Sequence, residues 1–362
     1  MKFYKRHKLV VNLIILFILS RIPLIIFYFK NGNFSFLNSY DGLHYISIAQ
    51  SGYTEELQYA FFPLFPLLIR LLGFIGIPHR FGGILISNIC SLASLLLFNS
   101  IISDKHNKIL SKNIIYFVFT PILVFCTMCY TESLYILLTL LSFKYYKEKK
   151  YIITSIFVGL SILTRNSGII LWGAIGLDML YRFFKKKDIK FFTIIIFGII
   201  SLLIGMLYPM YLYFKTNNPF MFMTIQKTGW NKSSGYFILT LIADIKYLLH
   251  SFSIYQLYLF IENWFSFSIG LIIALKIRKK DFVCFIYLIV SLFAFTLVYR
   301  DTNYWNTLPS ISLFRYVLSL FPIYLYLPVL FNNKTKQSIL LISLIFLTSV
   351  NIYFSYVGAF VG

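Results

Sequence analysis

Tyr40-Asp41-Gly42-Leu43-His44-Tyr45, followed closely by Phe61-Phe62-Pro63-Leu64-Phe65-Pro66, occupies the first long gap between two strongly apolar runs, Leu9 to Phe29 and Phe81 to Ile102. A membrane-crossing helix needs roughly 20 predominantly apolar residues. Each run therefore reads as one span, and the quoted residues as the loop that joins them. Cytoplasmic loops gather Lys and Arg. Lys2, Lys5, Arg6 and Lys8 precede the first run, and Lys105, Lys108 and Lys112 follow the second. Both flanks are thus expected inside, and the joining loop, about residues 31–80, outside.

The same two rules carry along the chain. Ile114 to Thr127 reads as an outward crossing and Leu134 to Phe143 as its return, ending in Lys144, Lys147, Lys149 and Lys150. Ile152 to Leu163 and Ile169 to Leu180 form the next pair, closed by Arg182, Lys185, Lys186, Lys187 and Lys190. Phe191 to Phe214 leads to a second large outer loop, about residues 215–252. In it the amphipathic stretch Tyr236 to His250 is expected to rest on the membrane surface. Ile254 to Leu275 returns to Lys276, Arg278, Lys279 and Lys280, and Phe282 to Tyr299 goes out. Phe314 to Phe331 comes back to Lys334 and Lys336, and Ile339 to Tyr356 ends outside. About eleven spans of roughly 20 residues result, with short ones near 130 and 165. The expected fold is an all-α polytopic membrane protein, with residues 1–362 as one integral membrane domain.

Composition agrees. The chain is 59% hydrophobic and only 12% charged, with a mean hydropathy of +0.78, where soluble domains carry about 25% charged residues. A net charge of +21 would point to nucleic acid if it formed one patch. The basic residues instead come in short clusters between apolar runs, which is the pattern of topology signals, and no nucleic-acid partner is expected. Cys90, Cys126, Cys129 and Cys284 lie in or beside apolar runs. No second pair or nearby His completes a zinc site around Cys126 and Cys129, so they read as small packed side chains. The first run lacks a small-residue cleavage site and reads as a retained anchor.

Polar residues that topology does not explain collect on the expected outer side: Asp41 and His44, Thr131 and Glu132, Arg165 and Asn166, Gln226 and Trp230, Arg300 and Asp301, and Arg315. Ionisable groups at membrane depth are costly and usually functional. Asp41 has two readings. Leu43 to Gln50 favours helix, so Asp41 can serve as its N-cap; it can also be the base that takes a proton from an acceptor hydroxyl. His44, one turn on, would orient the acceptor or meet phosphate. Phe61 to Pro66 with Leu67 to Leu72 reads as a kinked interfacial helix. Its Arg70, like Arg80, either snorkels to lipid phosphates or belongs to a helix that guides a long isoprenoid tail. Arg165 and Arg315 are either interfacial anchors or bidentate ligands of a phosphate, and Arg21, in the outer half of the first span, is harder to excuse as an anchor. Glu132 and Asp301 either pair with these arginines or join the site. Gln226 and Trp230 combine an amide and an indole, groups common in sugar sites, although Trp also forms interfacial belts. No P-loop or dinucleotide motif is present, so any sugar donor is expected to be a lipid. No Asp-x-Asp pair stands ready for a divalent ion, and neither a metal nor a cofactor is expected.

Taken together, Tyr40 to Tyr45, Ala49 to Gly52-Tyr53 and Ala60 to Pro66 resemble the PIG-V mannosyltransferases. Further matches run in family order: Tyr130-Thr131-Glu132-Ser133-Leu134, Thr164-Arg165-Asn166-Ser167-Gly168, Asn218-Pro219-Phe220 through Gln226 to Trp230, and Arg315-Tyr316. The resemblance implies a GT-C fold and an inverting transferase that uses dolichyl- or polyprenyl-phosphate mannose. It maps the catalytic Asp of the first outer loop onto Asp41; substrate contacts are expected at His44, Tyr45, Glu132, Arg165, Asn166, Gln226, Trp230 and Arg315. In the GPI pathway the family adds the second mannose, in α-1,6 linkage, to a glycolipid. Tyr40 stands where the family usually has Trp, and Arg165-Asn166-Ser167-Gly168 permutes the usual Arg-Ser-Asn-Gly.

The expected protein is therefore a glycosyltransferase whose partners are the lipid-linked mannose donor, a glycolipid acceptor and membrane lipids, with room for a small accessory membrane subunit. It would sit in the endoplasmic reticulum membrane of a eukaryote or the plasma membrane of a bacterium or archaeon. The rival is a transporter or flippase of a lipid-linked sugar, a class that often shows inverted repeats and mid-membrane charges; no repeat is evident here.

Overall fold

A computed structural model describes residues 2–31, 35–103, 111–300, 307–310, 312–331 and 333–359. The first helices are α1 (Lys2–Asn31), α2 (Asp41–Ser51), α3 (Leu64–Phe74), α4 (His79–Ser103), α5 (Lys112–Val118) and α6 (Glu132–Lys147). Next come α7 (Tyr151–Thr164), α8 (Gly168–Tyr181), α9 (Phe191–Gly205), α10 (Leu207–Thr216) and α11 (Met221–Thr228). Strand β1 (Lys232–Ser234) precedes α12 (Phe237–His250), α13 (Ile254–Ile277) and α14 (Phe282–Thr296). Strand β2 (Val298–Arg300), α15 (Leu313–Leu318), α16 (Pro322–Tyr326) and α17 (Lys334–Tyr356) complete the order.

Among the described residues, five stretches are long and apolar enough to cross a membrane: Leu9–Ile26, His79–Ile102, Phe191–Thr216, Ile254–Ile277 and Lys334–Tyr356. The protein is an all-α membrane protein. The other expected crossings are shorter. A 14-residue helix such as α7 or α8 rises only about 21 Å, short of the roughly 30 Å hydrocarbon core.

Two expected spans are broken. Over 114–127 the helix stops at Val118, ahead of Pro121, and a 3-10 turn (Pro121–Leu123) follows. Proline cannot donate to a helix and pushes the preceding residue into extended geometry; Thr120 is indeed extended. The freed backbone is buried and bonded by side chains, as irregular backbone within a membrane protein must be. Asn88 donates to the Thr127 carbonyl at 3.2 Å and Ser87 to that of Tyr130 at 3.0 Å. Over 314–331, α15 and α16 are separate short helices around Phe321-Pro322, and Pro328 lies in a 3-10 turn. The expected span to Tyr299 also ends earlier, at Thr296, because residues 298–300 pair as a strand with β1.

The chain divides into two compact units, Met1–Gln50 with Phe65–Glu148 and Phe321–Val361, and Ser51–Leu64 with Lys149–Leu320. In the first, α4 packs on α6, and small residues at helical spacing, Gly83, Ser87, Ser91 and Ser94, share one face of α4. Lipid gives apolar helices no hydrophobic reason to associate, so close backbone approach and hydrogen bonds must hold them. In the second, Tyr59, Phe62, Leu163, Tyr208, Leu212, Phe222 and Ile225 form one aromatic-rich core, and the Tyr208 hydroxyl donates to the Tyr59 carbonyl at 2.9 Å. The amphipathic stretch Tyr236 to His250 is helical as α12, and its polar residues rather than its apolar ones turn inward. Thr240 and Asp244 are buried, while Ile238, Leu239, Ile242, Ile245 and Leu249 are exposed. Such a helix suits lipid on its outer face and polar bonds within.

Candidate active site

Asp41 is the first residue of α2, and the backbone explains how it gets there. A 3-10 turn (Ser35–Asn38) delivers the chain to Tyr40, whose φ of 52° is left-handed. The amides of Gly42 and Leu43 then donate to the carbonyls of Ser39 and Tyr40 at 3.1 and 3.0 Å. A helix N-terminus carries partial positive charge and favours an anionic side chain. The turn is strapped to the stretch before α6: the Cys129 amide donates to the Leu37 carbonyl at 2.8 Å, and the Tyr130 hydroxyl to that of Ser39 at 3.3 Å. Glycine at position 42 suits this approach, since a Cβ there would stand 3.3 Å from the Cys129 carbonyl oxygen, tighter than ordinary contact.

The far end of α2 is fixed as well. Arg70 donates from Nε to the Ala49 carbonyl at 2.7 Å and from Nη2 to that of Ile48 at 3.2 Å. It thus satisfies carbonyls that the helix end would leave without partners. Neither reading offered for Arg70 from sequence included this role. Helix α3 is amphipathic, with Leu67, Leu71 and Phe74 exposed opposite buried Phe65 and Ile69.

Asp41 and His44 are partly buried, whereas Tyr45 is 6% exposed with its ring edge-on to Phe65 at 5.2 Å. Tyr45 is thereby placed in the core beneath the site. Glu132, fully buried, opens α6 two residues beyond the strapped Tyr130. Asp41 and Glu132 therefore stand at two helix N-termini linked by the same strap.

In the second unit, Arg165-Asn166-Ser167 forms the tight turn between α7 and α8. The Arg165 amide donates to the Ser161 carbonyl at 3.0 Å, and the Gly168 amide to that of Arg165 at 2.9 Å. A Cβ at Gly168 would lie 2.5 Å from the Ile162 nitrogen, so only glycine admits this turn. Gly168→Ala is expected to destabilise the protein by about 1–3 kcal/mol through overpacking, seen as a lower melting temperature in detergent; an unchanged value would contradict this geometry. Arg165 and Arg315 meet at one ring: their guanidinium carbons lie 4.9 and 6.0 Å from the Tyr316 centroid. Arg315 is 3% exposed and too deep to be a surface anchor.

Gln226 is partly buried on α11. Trp230 packs edge-on to Phe61 at 5.9 Å, with the Arg300 guanidinium 5.8 Å from its ring. Gln226 follows core residue Ile225, and Leu163 of the same core precedes Arg165 by two residues. Asp301 lies outside the described residues. All four cysteines are buried and free, in keeping with the packing reading of Cys126 and Cys129. Among the described residues no group of three His, Cys, Asp or Glu is arranged to hold a metal ion.

Two residues missed from sequence tie down the approach to Arg315. Asp244, with no exposed surface, accepts from Trp264 Nε1 at 2.7 Å and from the Ser310 amide at 2.9 Å. Asn263 donates to the Ser310 carbonyl and hydroxyl at 3.1 and 2.9 Å and accepts from the Phe314 amide at 2.9 Å. The signal was a carboxylate within an amphipathic stretch and an amide within a span, neither of which looks unusual alone. Burial pushes the Asp244 carboxyl up to about 6, against the pull of its two hydrogen-bond donors. The raised value means the fold favours the protonated acid, so this contribution is complete below about pH 4 and is lost as pH rises through about 6. A shift from 3.8 to about 6 corresponds to about 3 kcal/mol. The stability of the native chain relative to Asp244→Asn should therefore fall between pH 4 and 6; parallel melting curves across that window would contradict it.

Comparison with known proteins settles the family. The sequence profile described as Mannosyltransferase (PIG-V) matches residues 7–313. The chain belongs to the PIG-V mannosyltransferase family. It is 24% identical over 217 residues to GPI mannosyltransferase 2 of Schizosaccharomyces pombe, covering 53% of this chain and 46% of that protein. It is 30% identical over 205 residues to GPI mannosyltransferase 2 of Candida albicans, covering 49% and 52%. This PIG-V chain thus spans about half the length of the curated relatives it matches. No solved structure matches it.

Proposed function

We propose that this PIG-V family member transfers mannose from dolichyl- or polyprenyl-phosphate mannose to a glycolipid or glycan acceptor on the extracytoplasmic face, with inversion at the anomeric carbon. Asp41, held at the start of α2, accepts the proton of the acceptor hydroxyl as that oxygen attacks. The bond between the anomeric carbon and the phosphate oxygen breaks, and the lipid phosphate leaves with its electron pair. Arg165 and Arg315 stabilise its charge, a role that fits their convergence on Tyr316. His44, Glu132, Asn166, Gln226 and Trp230 contact the substrates, and Tyr45 supports α2 from below. The family match carries this reading, and the fungal relatives favour a precursor of the GPI anchor as acceptor. The remaining short helices complete a GT-C bundle of about eleven crossings of roughly 20 residues or fewer.

Proteoliposomes holding purified protein separate this reading from the flippase alternative. Labelled donor should lose mannose to added glycolipid acceptors in EDTA, with no accelerated passage of the donor between leaflets. Passage of donor without transfer would reverse the assignment.

A further inference from the structure

A pocket in the first unit is lined by none of the residues assigned above to transfer. Helices α1, α4, α5 and α6 and the irregular stretch after α5 line a small pocket that is partly open to its surroundings. Its polar lining is Arg21, Ser91, Ser94, Thr120 and Ser133, and its apolar lining includes Phe17, Leu95, Phe117 and Ile136.

Arg21 gives the cavity its character. It lies within the membrane-crossing stretch Leu9–Ile26 and is only 8% exposed. Around it, α1 turns Ile14, Ile15, Ile18, Leu19, Ile22 and Ile25 outward and holds Ser20, Arg21 and Leu24 inside. An arginine serving as an anchor would snorkel toward the headgroups; this one points into the protein. Its Nη1 donates to Ser20 Oγ at 2.7 Å and Nη2 to Ser91 Oγ at 2.8 Å, and its guanidinium carbon sits 3.7 Å from the Phe17 centroid. These partners are neutral. The Nε donor has no partner among the described residues, and neither does the buried Ser94 hydroxyl. A cation at membrane depth is costly even on lenient scales, and hydroxyls do not neutralise it.

The unmet donors call for an anion, and the walls say which kind. A guanidinium edge with a spare N–H suits a phosphate oxygen. Aromatic and aliphatic walls beside it suit the first carbons of a hydrocarbon chain. We propose that the Arg21 cavity is a binding site for the phosphate of a lipid headgroup, with the Arg21 Nε and Ser94 Oγ as its open donors.

The test measures binding, so its failure would leave the transferase reading standing, and the reverse. Purified, delipidated full-length protein in neutral detergent is titrated with dioctanoyl phosphatidic acid, dioctanoylglycerol and inorganic phosphate, and thermal unfolding is followed. Phosphatidic acid should raise the melting temperature saturably, dioctanoylglycerol should not, and Arg21→Gln should weaken the apparent affinity at least tenfold. Arg21→Lys, which keeps the charge but not the planar fork, should lose most of the affinity, and Ser94→Ala should weaken it severalfold. Equal shifts in the wild type and all three variants would overturn the site. Inorganic phosphate matching phosphatidic acid would reassign it to a free anion and overturn the lipid. Should Arg21→Gln fail to fold, Arg21→Lys and Ser94→Ala decide the outcome on their own.

Discussion

Asp41→Asn is expected to lower the rate of mannose transfer by about 10²–10⁴-fold, the usual worth of a positioned general base, while donor affinity and melting temperature stay near wild type. The substitution keeps shape and removes basicity. The carbonyls of Ser39 and Tyr40, the approach of Cys129 to Gly42 and the hold of Arg70 on Ile48 and Ala49 place α2 without using the carboxylate. The rival role, a helix cap, makes the opposite pattern. Asn caps as well as Asp, so Asp41→Asn would be silent, whereas Asp41→Ala would cost about 1 kcal/mol of stability. Measuring rate and melting temperature on both variants separates the two.

Arg315→Gln should cost about 10²–10³-fold in kcat, the loss typical when one electrostatic contact to a developing charge is removed. Arg315→Lys should recover only part of it, because an ammonium lacks the planar fork. Arg315 is nearly buried and shares the Tyr316 ring with Arg165, so Arg165→Gln should show a smaller loss in the same parameter and the double variant should be less than additive. A variant that melts earlier but turns over normally would assign Arg315 to structure alone.

Much of the fold was legible where one physical rule dominates. The apolar lengths of Leu9–Ile26, His79–Ile102, Phe191–Thr216, Ile254–Ile277 and Lys334–Tyr356 follow from bilayer thickness, and the helical start at Asp41 follows from local propensity. What failed was set by tertiary partners. Pro121 and Pro322 were visible, but that the backbone around Pro121 would stay buried depended on Ser87, Asn88 and Tyr130 supplying bonds from elsewhere. Arg70 near an interface looks the same whether it meets lipid or the end of α2. Strands β1 and β2 are three residues each and far apart in sequence, too short for any alternation to show.

The candidate site divides the same way. Asp41, Arg165 and Arg315 stood out because charge at membrane depth needs a reason. Asp244 did not, since the pattern of α12 could not tell which of its faces meets lipid; exposed Ile242 and Leu249 beside buried Asp244 invert what water would dictate. Tyr45 carried the family motif yet lies against Phe65, a reminder that motif residues include those that support the site from beneath.

The most direct test uses purified protein, polyprenyl-phosphate mannose labelled in the sugar and a panel of glycolipid acceptors in EDTA. The account predicts label on an acceptor, free polyprenyl phosphate in equal amount and almost no transfer by Asp41→Asn. Donor that binds but passes no mannose to any acceptor, or transfer that Asp41→Asn leaves unchanged, would contradict it.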